Sequence, residues 1–85
     1  MNFGEALEYL KEGKRIQRTW WVDIFIFLVP GSEFEVNKAP LNIYFPKGTE
    51  IKYLPHIDIC QEYTVSNWFI NSPDLLAEDW DIYED

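Results

Sequence analysis

Four of the chain's seven basic residues, Lys11, Lys14, Arg15 and Arg18, fall within eight positions and run directly into Trp20 and Trp21. A guanidinium can fork onto phosphate oxygens while an indole face stacks on a base, so this combination suits a nucleotide. A plainer reading stands beside it: cations at the end of a helix favour its dipole, and neighbouring Trp residues are commonly divided between core and interface. Ser66-Asn67-Trp68 sets an amide beside a third indole, useful for a base edge or a ribose, and Trp68 serves equally well as a core plug. His56, Asp58 and Cys60 recur at every second position and would share one face of a strand. On such a strand Cys60 lies about 13 Å from His56, beyond the reach of a nucleophile and its base. With one His and one Cys in the chain, a metal site would need ligands recruited from elsewhere. Asp58 reads instead as an anchor for a loop or for a ligand hydroxyl. Six acids between Asp74 and Asp85 read as a solvated face. Paired carboxylates in an apolar setting, a glycine-rich phosphate loop and a Ser/His/Asp set are all missing, so the sequence suggests neither an enzyme nor a cofactor.

Fifteen Asp and Glu against seven Lys and Arg give a formal net charge of -8, the wrong sign for DNA, RNA or an anionic membrane surface. A compact anion is a different matter. Eight charges at about 15 Å, screened at a Debye length of about 8 Å, repel each ligand charge by only about 0.3 kcal/mol. One stacked base supplies about 1 to 3 kcal/mol and one charged hydrogen bond about 1.5 to 3. Local contacts therefore outweigh the global field for a ligand with one or two phosphates, and fail to do so for a polynucleotide.

The elements that must position these groups belong to one domain spanning residues 1–85. A chain of this length buries roughly 64% of its extended surface, so its core is thin. Yet 47% of the residues are hydrophobic and 18% aromatic, an apolar excess that points to a partner subunit or ligand. One cysteine forbids an internal disulfide, which leaves packing and association to supply stability. Residues 2–12 predict a helix: Asn2 caps, Glu5 completes a capping box, Phe3, Ala6, Leu7 and Leu10 form a stripe, and Gly13 ends it. Ile24 to Val29, stopped by Pro30-Gly31-Ser32, reads as a central strand. Alternation predicts short strands at Phe34–Val36 and Leu41–Phe45, then an antiparallel pair from 51–59 and 62–70 broken at Pro55. Ser72-Pro73-Asp74 opens a helical turn, and Trp80 to Tyr83 alternates as a last strand. The fold class is α+β: an N-terminal helix on a small, mostly antiparallel sheet, with a short C-terminal helical turn and strand. No run reaches the roughly 18 apolar residues of a membrane span, and the first residues read as an amphipathic segment rather than a secretory signal, which predicts a cytoplasmic protein.

Met1-Asn2-Phe3-Gly4-Glu5-Ala6-Leu7 with Leu10-Lys11-Glu12-Gly13-Lys14, Phe25-Ile26-Phe27-Leu28-Val29-Pro30-Gly31-Ser32, Pro46-Lys47-Gly48-Thr49-Glu50-Ile51, Pro55-His56-Ile57-Asp58 and Leu75-Leu76-Ala77-Glu78-Asp79-Trp80 together resemble the second Thoeris anti-defense family. The resemblance spans nearly the whole chain. It implies a small phage protein, at work in the cytoplasm of the infected host, that forms homotetramers and acts as a sponge. Such a sponge binds glycocyclic ADP-ribose, the signal of the host's Thoeris defence, and in some members cyclic oligonucleotides as well. Family members commonly carry Arg, two residues and then Trp-Asn-Gly; Arg18-Thr19-Trp20-Trp21-Val22-Asp23 keeps the Arg and a Trp, lacks the Asn-Gly and is about two residues shorter. Asp58 and Trp68 stand at places similar to the family's Asp after Pro-His and its Trp before the terminal helical turn, whereas Asn67 enters from its own chemistry.

The expected site therefore comprises Arg18 on phosphate, Trp20 or Trp21 and Trp68 on either side of the base, and Asp58 and Asn67 on ribose and base, in pockets at or near subunit junctions. Two other readings compete with a sponge. One is an enzyme that degrades the same signal; the other is a structural protein-interaction module in which the Trp pair plugs an interface.

Overall fold

The computed structural model describes all 85 residues. Helix α1 (Phe3–Lys11) begins where expected: Asn2 Oδ1 accepts from the Glu5 N–H at 2.9 Å, and the Glu5 carboxylate accepts from the Asn2 N–H at 3.0 Å. It ends at Gly13, whose φ of +90° suits glycine; the Gly13 and Lys14 N–H groups donate back to Leu10 and Tyr9, closing the last turn. Its stripe buries Ala6 and Leu10 completely.

That stripe packs on a five-stranded antiparallel sheet ordered β6-β5-β2-β1-β7, made of β1 (Ile16–Arg18), β2 (Ile24–Val29), β5 (His56–Gln61), β6 (Thr64–Asn67) and β7 (Trp80–Ile82). The apolar run at 24–29 is central, as read. Ile16, Ile26 and Trp80 meet α1 in a core of five fully buried residues, bordered by Phe3, Leu7, Trp21, Ile57, Ile59 and Trp68. The opposite face, bearing Phe25, Phe27 and Val29 of β2 and His56, Asp58 and Cys60 of β5, has no helix over it.

The remainder is an arm. Strands β3 (Ser32–Glu35) and β4 (Glu50–Tyr53) form a second, two-stranded sheet. Together with β2 and β5 they make one long hairpin in a single register, from Ile24 opposite Gln61 to Glu35 opposite Glu50. A kink at Pro30-Gly31 and Leu54-Pro55 separates the halves: a Cβ on Gly31 would sit 2.9 Å from the Tyr53 carbonyl oxygen and 3.1 Å from Pro55. Beyond it β3 and β4 touch only each other. The molecule is accordingly elongated, with a long axis of 46 Å and a radius of gyration of 15.9 Å against about 12 Å for a compact chain of this length.

One sequence expectation needs correction, and one strand was not foreseen. Leu41–Phe45 does not form a strand; α2 (Leu41–Tyr44) is a single turn between Pro40 and Pro46 at the arm's tip, where Ile43 and Tyr44 are exposed and no strand lies alongside to reward extension. The basic stretch contains an edge-linking strand, β1, that its polar sequence does not announce, and it pairs with both β2 and β7. Helix α3 (Ser72–Leu76) opens at Ser72-Pro73 as read, capped by Asn71.

β5 and β6 join through Glu62 and Tyr63, both left-handed at φ 47° and 68°. This two-residue turn ordinarily takes Asn-Gly, because a Cβ is disfavoured there. Tyr63 is fully exposed and gains no packing in exchange. Tyr63→Gly should therefore raise stability by about 1 kcal/mol, read as a higher urea midpoint; an unchanged or lower midpoint would show the turn to be unstrained.

Candidate functional site

Arg18 closes β1 on the helix side of the sheet. Its Nε donates to Asp79 and its Nη1 to Asp74, while the Thr19 hydroxyl adds a longer bond to Asp79 at 3.3 Å. Trp80 Nε1 donates to the Asp74 carbonyl at 2.9 Å, so the carboxylates come from a segment locked to the core by that indole. The guanidinium lies over Trp80 at 5.7 Å on one side and Trp20 at 5.5 Å on another. Arg18 and Asp74 side chains are only 15% and 13% exposed. The hydrogen bond from Arg18 holds the Asp79 carboxyl below its usual range, and that bond in turn raises the guanidinium pKa.

The indoles form a chain of edge-to-face contacts. Trp20 meets Trp21 at 6.3 Å, Trp21 meets Trp80 at 5.4 Å, and Trp80 meets Trp68 at 6.0 Å, with Phe3 against both Trp68 and Trp80. Trp21 and Trp68 are half-buried supports of the core, whereas Trp20 keeps 64% of its surface in water. Its ring is nonetheless fixed by Trp21 and Arg18. The result is an exposed aromatic platform with an anchored cation beside it.

Asp58 and Asn67 are elsewhere. Ile57 and Ile59 point into the core, so Asp58 between them points to the uncovered face, where Asn67 is its register partner. His56 shares that face, with Nε2 3.4 Å from Asp58 Oδ1 and Nδ1 3.1 Å from the Leu54 carbonyl. No third His, Cys, Asp or Glu joins them in a set able to hold a metal ion. The six expected residues thus divide: Arg18, Trp20, Trp21 and Trp68 belong to the helix side or its margin, and Asp58 and Asn67 to the opposite face. Asn67 and Trp68 are adjacent in sequence yet separated by the strand's alternation, which is what the amide-beside-indole reading overlooked.

Arg18, expected on phosphate, has its guanidinium between two carboxylates, with Nε on Asp79 and Nη1 on Asp74, and lies beside the Trp20 ring. Those carboxylates come from the acidic stretch read as a solvated face; they lie 56 and 61 residues away, and no local pattern could reveal the pairing. A similar pair joins Arg15 to Asp85, with the Arg15 guanidinium over the rings of Phe25 and Tyr83 at 5.1 and 4.9 Å. Sequence reasoning also missed a cavity of about 400 Å³ on the arm, lined by Phe34, Tyr53, Asn37 and Lys38 among others.

Because the folded Asp79 pKa is depressed, the clamp's contribution is present above the ordinary carboxylate value near 4 and is lost as pH falls through the lower folded value. Arg18→Ala leaves Asp74 sheltered without a cation and should cost about 2 kcal/mol by urea unfolding at pH 7. The variant's stability should also fall less steeply than that of the parent as pH drops below about 4. Equal slopes would remove the clamp from the protein's acid response.

The sequence model of the Thoeris anti-defense 2-like domain matches residues 1–83. The chain is also similar to a protein of Bacillus phage SP01 called Thoeris anti-defense 2, at 35% identity over 95 residues, covering 96% of this chain and 93% of that one.

Proposed function

The chain belongs to the Thoeris anti-defense 2-like family, and from that membership we propose that it is a phage protein that binds and sequesters glycocyclic ADP-ribose, withholding the signal from the host's Thoeris effector. It works as a binder, without catalysis, in the cytoplasm of the infected cell. The observation that carries this reading is Trp20: a large indole, 64% exposed, held in place before any ligand arrives by Trp21 and by the anchored Arg18. A sponge must outcompete an effector, and a platform ordered in advance loses little entropy when a base stacks on it. Inhibition by such a device is stoichiometric: signal is neutralised only while sites outnumber signal molecules. Cyclic oligonucleotides, with the same flat bases and phosphates, are a second ligand class for the same chemistry.

Asp58 and Asn67 meet the ligand of another copy rather than that of their own platform, because a sheet stands between them and Trp68. The exposed apolar residues support assembly into a tetramer. Two groups stand out among them, Ile43, Tyr44, Tyr53 and Leu54 on the arm and Phe69, Leu75 and Leu76 around α3. A dihedral tetramer needs more than one independent interface, and two patches supply them.

Trp20→Ala should weaken glycocyclic ADP-ribose binding roughly 10- to 100-fold in calorimetry, with the unfolding midpoint unchanged, since its ring contributes little to the core. Ligand recovered after heat denaturation of the wild-type complex should be intact by mass spectrometry. Cleaved ligand would establish an enzyme, and the absence of heat and of any fluorescence change would establish an interaction module.

A further inference from the structure

Polar groups that share a face with Trp20 in its own copy exist, and strand register identifies them. Ile26 and its partner Ile59 face the helix side of the sheet. By alternation Ile24 and Gln61, two positions away on the same paired strands, face that side too, and Thr64 is the register partner of Gln61. α1 packs on β1, β2 and β7 and does not reach β5 or β6, so this corner of the helix side stays open. Together with Val22 and Glu62, these three residues line a recess of about 440 Å³.

The recess adjoins the aromatic platform. Trp20 and Val22 belong to one connection, between β1 and β2, and Trp21 between them borders the core. Gln61 closes β5, two strands from β1, which places it about 10 Å across the sheet from the strand that leads into Trp20. One small ligand can therefore reach both.

The lining says which part of a ligand enters. It contains no aromatic ring on which a base could stack and no cation to meet phosphate. It offers instead an amide, a carboxylate and a hydroxyl beside two aliphatic side chains. Gln61, Glu62 and Thr64 are exposed, and none of the three side chains is hydrogen-bonded or ion-paired within the chain. An ionised Glu62 only accepts, so it repels phosphate and suits the hydroxyl donors of a ribose. Gln61 and Thr64 both donate and accept. The distance from Trp20 matches a sugar joined to the stacked nucleoside through phosphates, rather than the sugar bonded to the base itself.

We infer that this recess binds the second ribose of the ligand whose base stacks on Trp20, with Gln61, Glu62 and Thr64 on its hydroxyls, and that it gives the protein its preference for ADP-ribose compounds over simpler adenine nucleotides. The inference rests on the sequestration reading and names the part of the ligand that is selected.

The test displaces bound glycocyclic ADP-ribose with ADP-ribose and with ADP, which differ by that one sugar. ADP-ribose should be at least about 10-fold the better competitor on wild-type protein. Gln61→Leu/Thr64→Val removes hydrogen-bonding groups and leaves the charge of Glu62 in place. In this double variant the two competitors should fall within about threefold of each other, with the urea midpoint unchanged, a loss of preference that charge repulsion alone would not produce. Trp20→Ala should weaken both competitors. Equal competition on the wild type, no competition by either compound, or a preference that survives the double variant overturns the recess and leaves sequestration standing. Wild-type protein that gives neither heat nor a fluorescence change with glycocyclic ADP-ribose overturns both.

Discussion

A nine-residue helix cannot cover both faces of a five-stranded sheet, and most of what distinguishes this molecule follows from that shortfall. α1 is about 13 Å long, whereas five strands span about 19 Å between the outermost axes. The helix therefore buries a compact patch of Ala6, Leu10, Ile16, Ile26 and Trp80 and leaves the rest of the sheet to water. Six buried residues in 85 make a small core, which explains why a largely sheltered ion cluster and a run of indoles carry so much of the organisation at its margin. An apolar sequence that hides so little keeps much of its hydrophobic surface exposed.

The parts of the fold that were legible in the sequence are those fixed by neighbours. Asn2, Glu5 and Gly13 delimit α1 through contacts three or four residues apart, and Pro30-Gly31 marks the place where β2 gives way to the arm. What could not be read depends on distance or on exposure. Leu41, Ile43 and Phe45 alternate as a strand would, but five residues with nothing beside them carry no information about period, and the flanking prolines leave room for one turn. The strand β1 has three residues, two of them polar, and owes its existence to β2 and β7 on either side.

The site divides along the same line. The types of residue were legible: indoles and a guanidinium do gather, around Trp80. Their roles were not, because the partners of Arg18 arrive from the opposite end of the chain, and because Asn67 and Trp68, one peptide apart, are sent to opposite sides by the pleat. The acidic C-terminal segment illustrates the general point. Composition describes it as solvated, yet two of its carboxylates order the one indole that the core does not claim.

That dependence has a consequence for biosynthesis. Trp20 leaves the ribosome well before the carboxylates that anchor its neighbour, which lie 56 and 61 residues beyond Arg18, so a nascent chain first carries Trp20 without the scaffold that orients it. The exposed indole is set in place only after residues 74–80 have been made, and a fragment that stops short of them carries Trp20 unanchored.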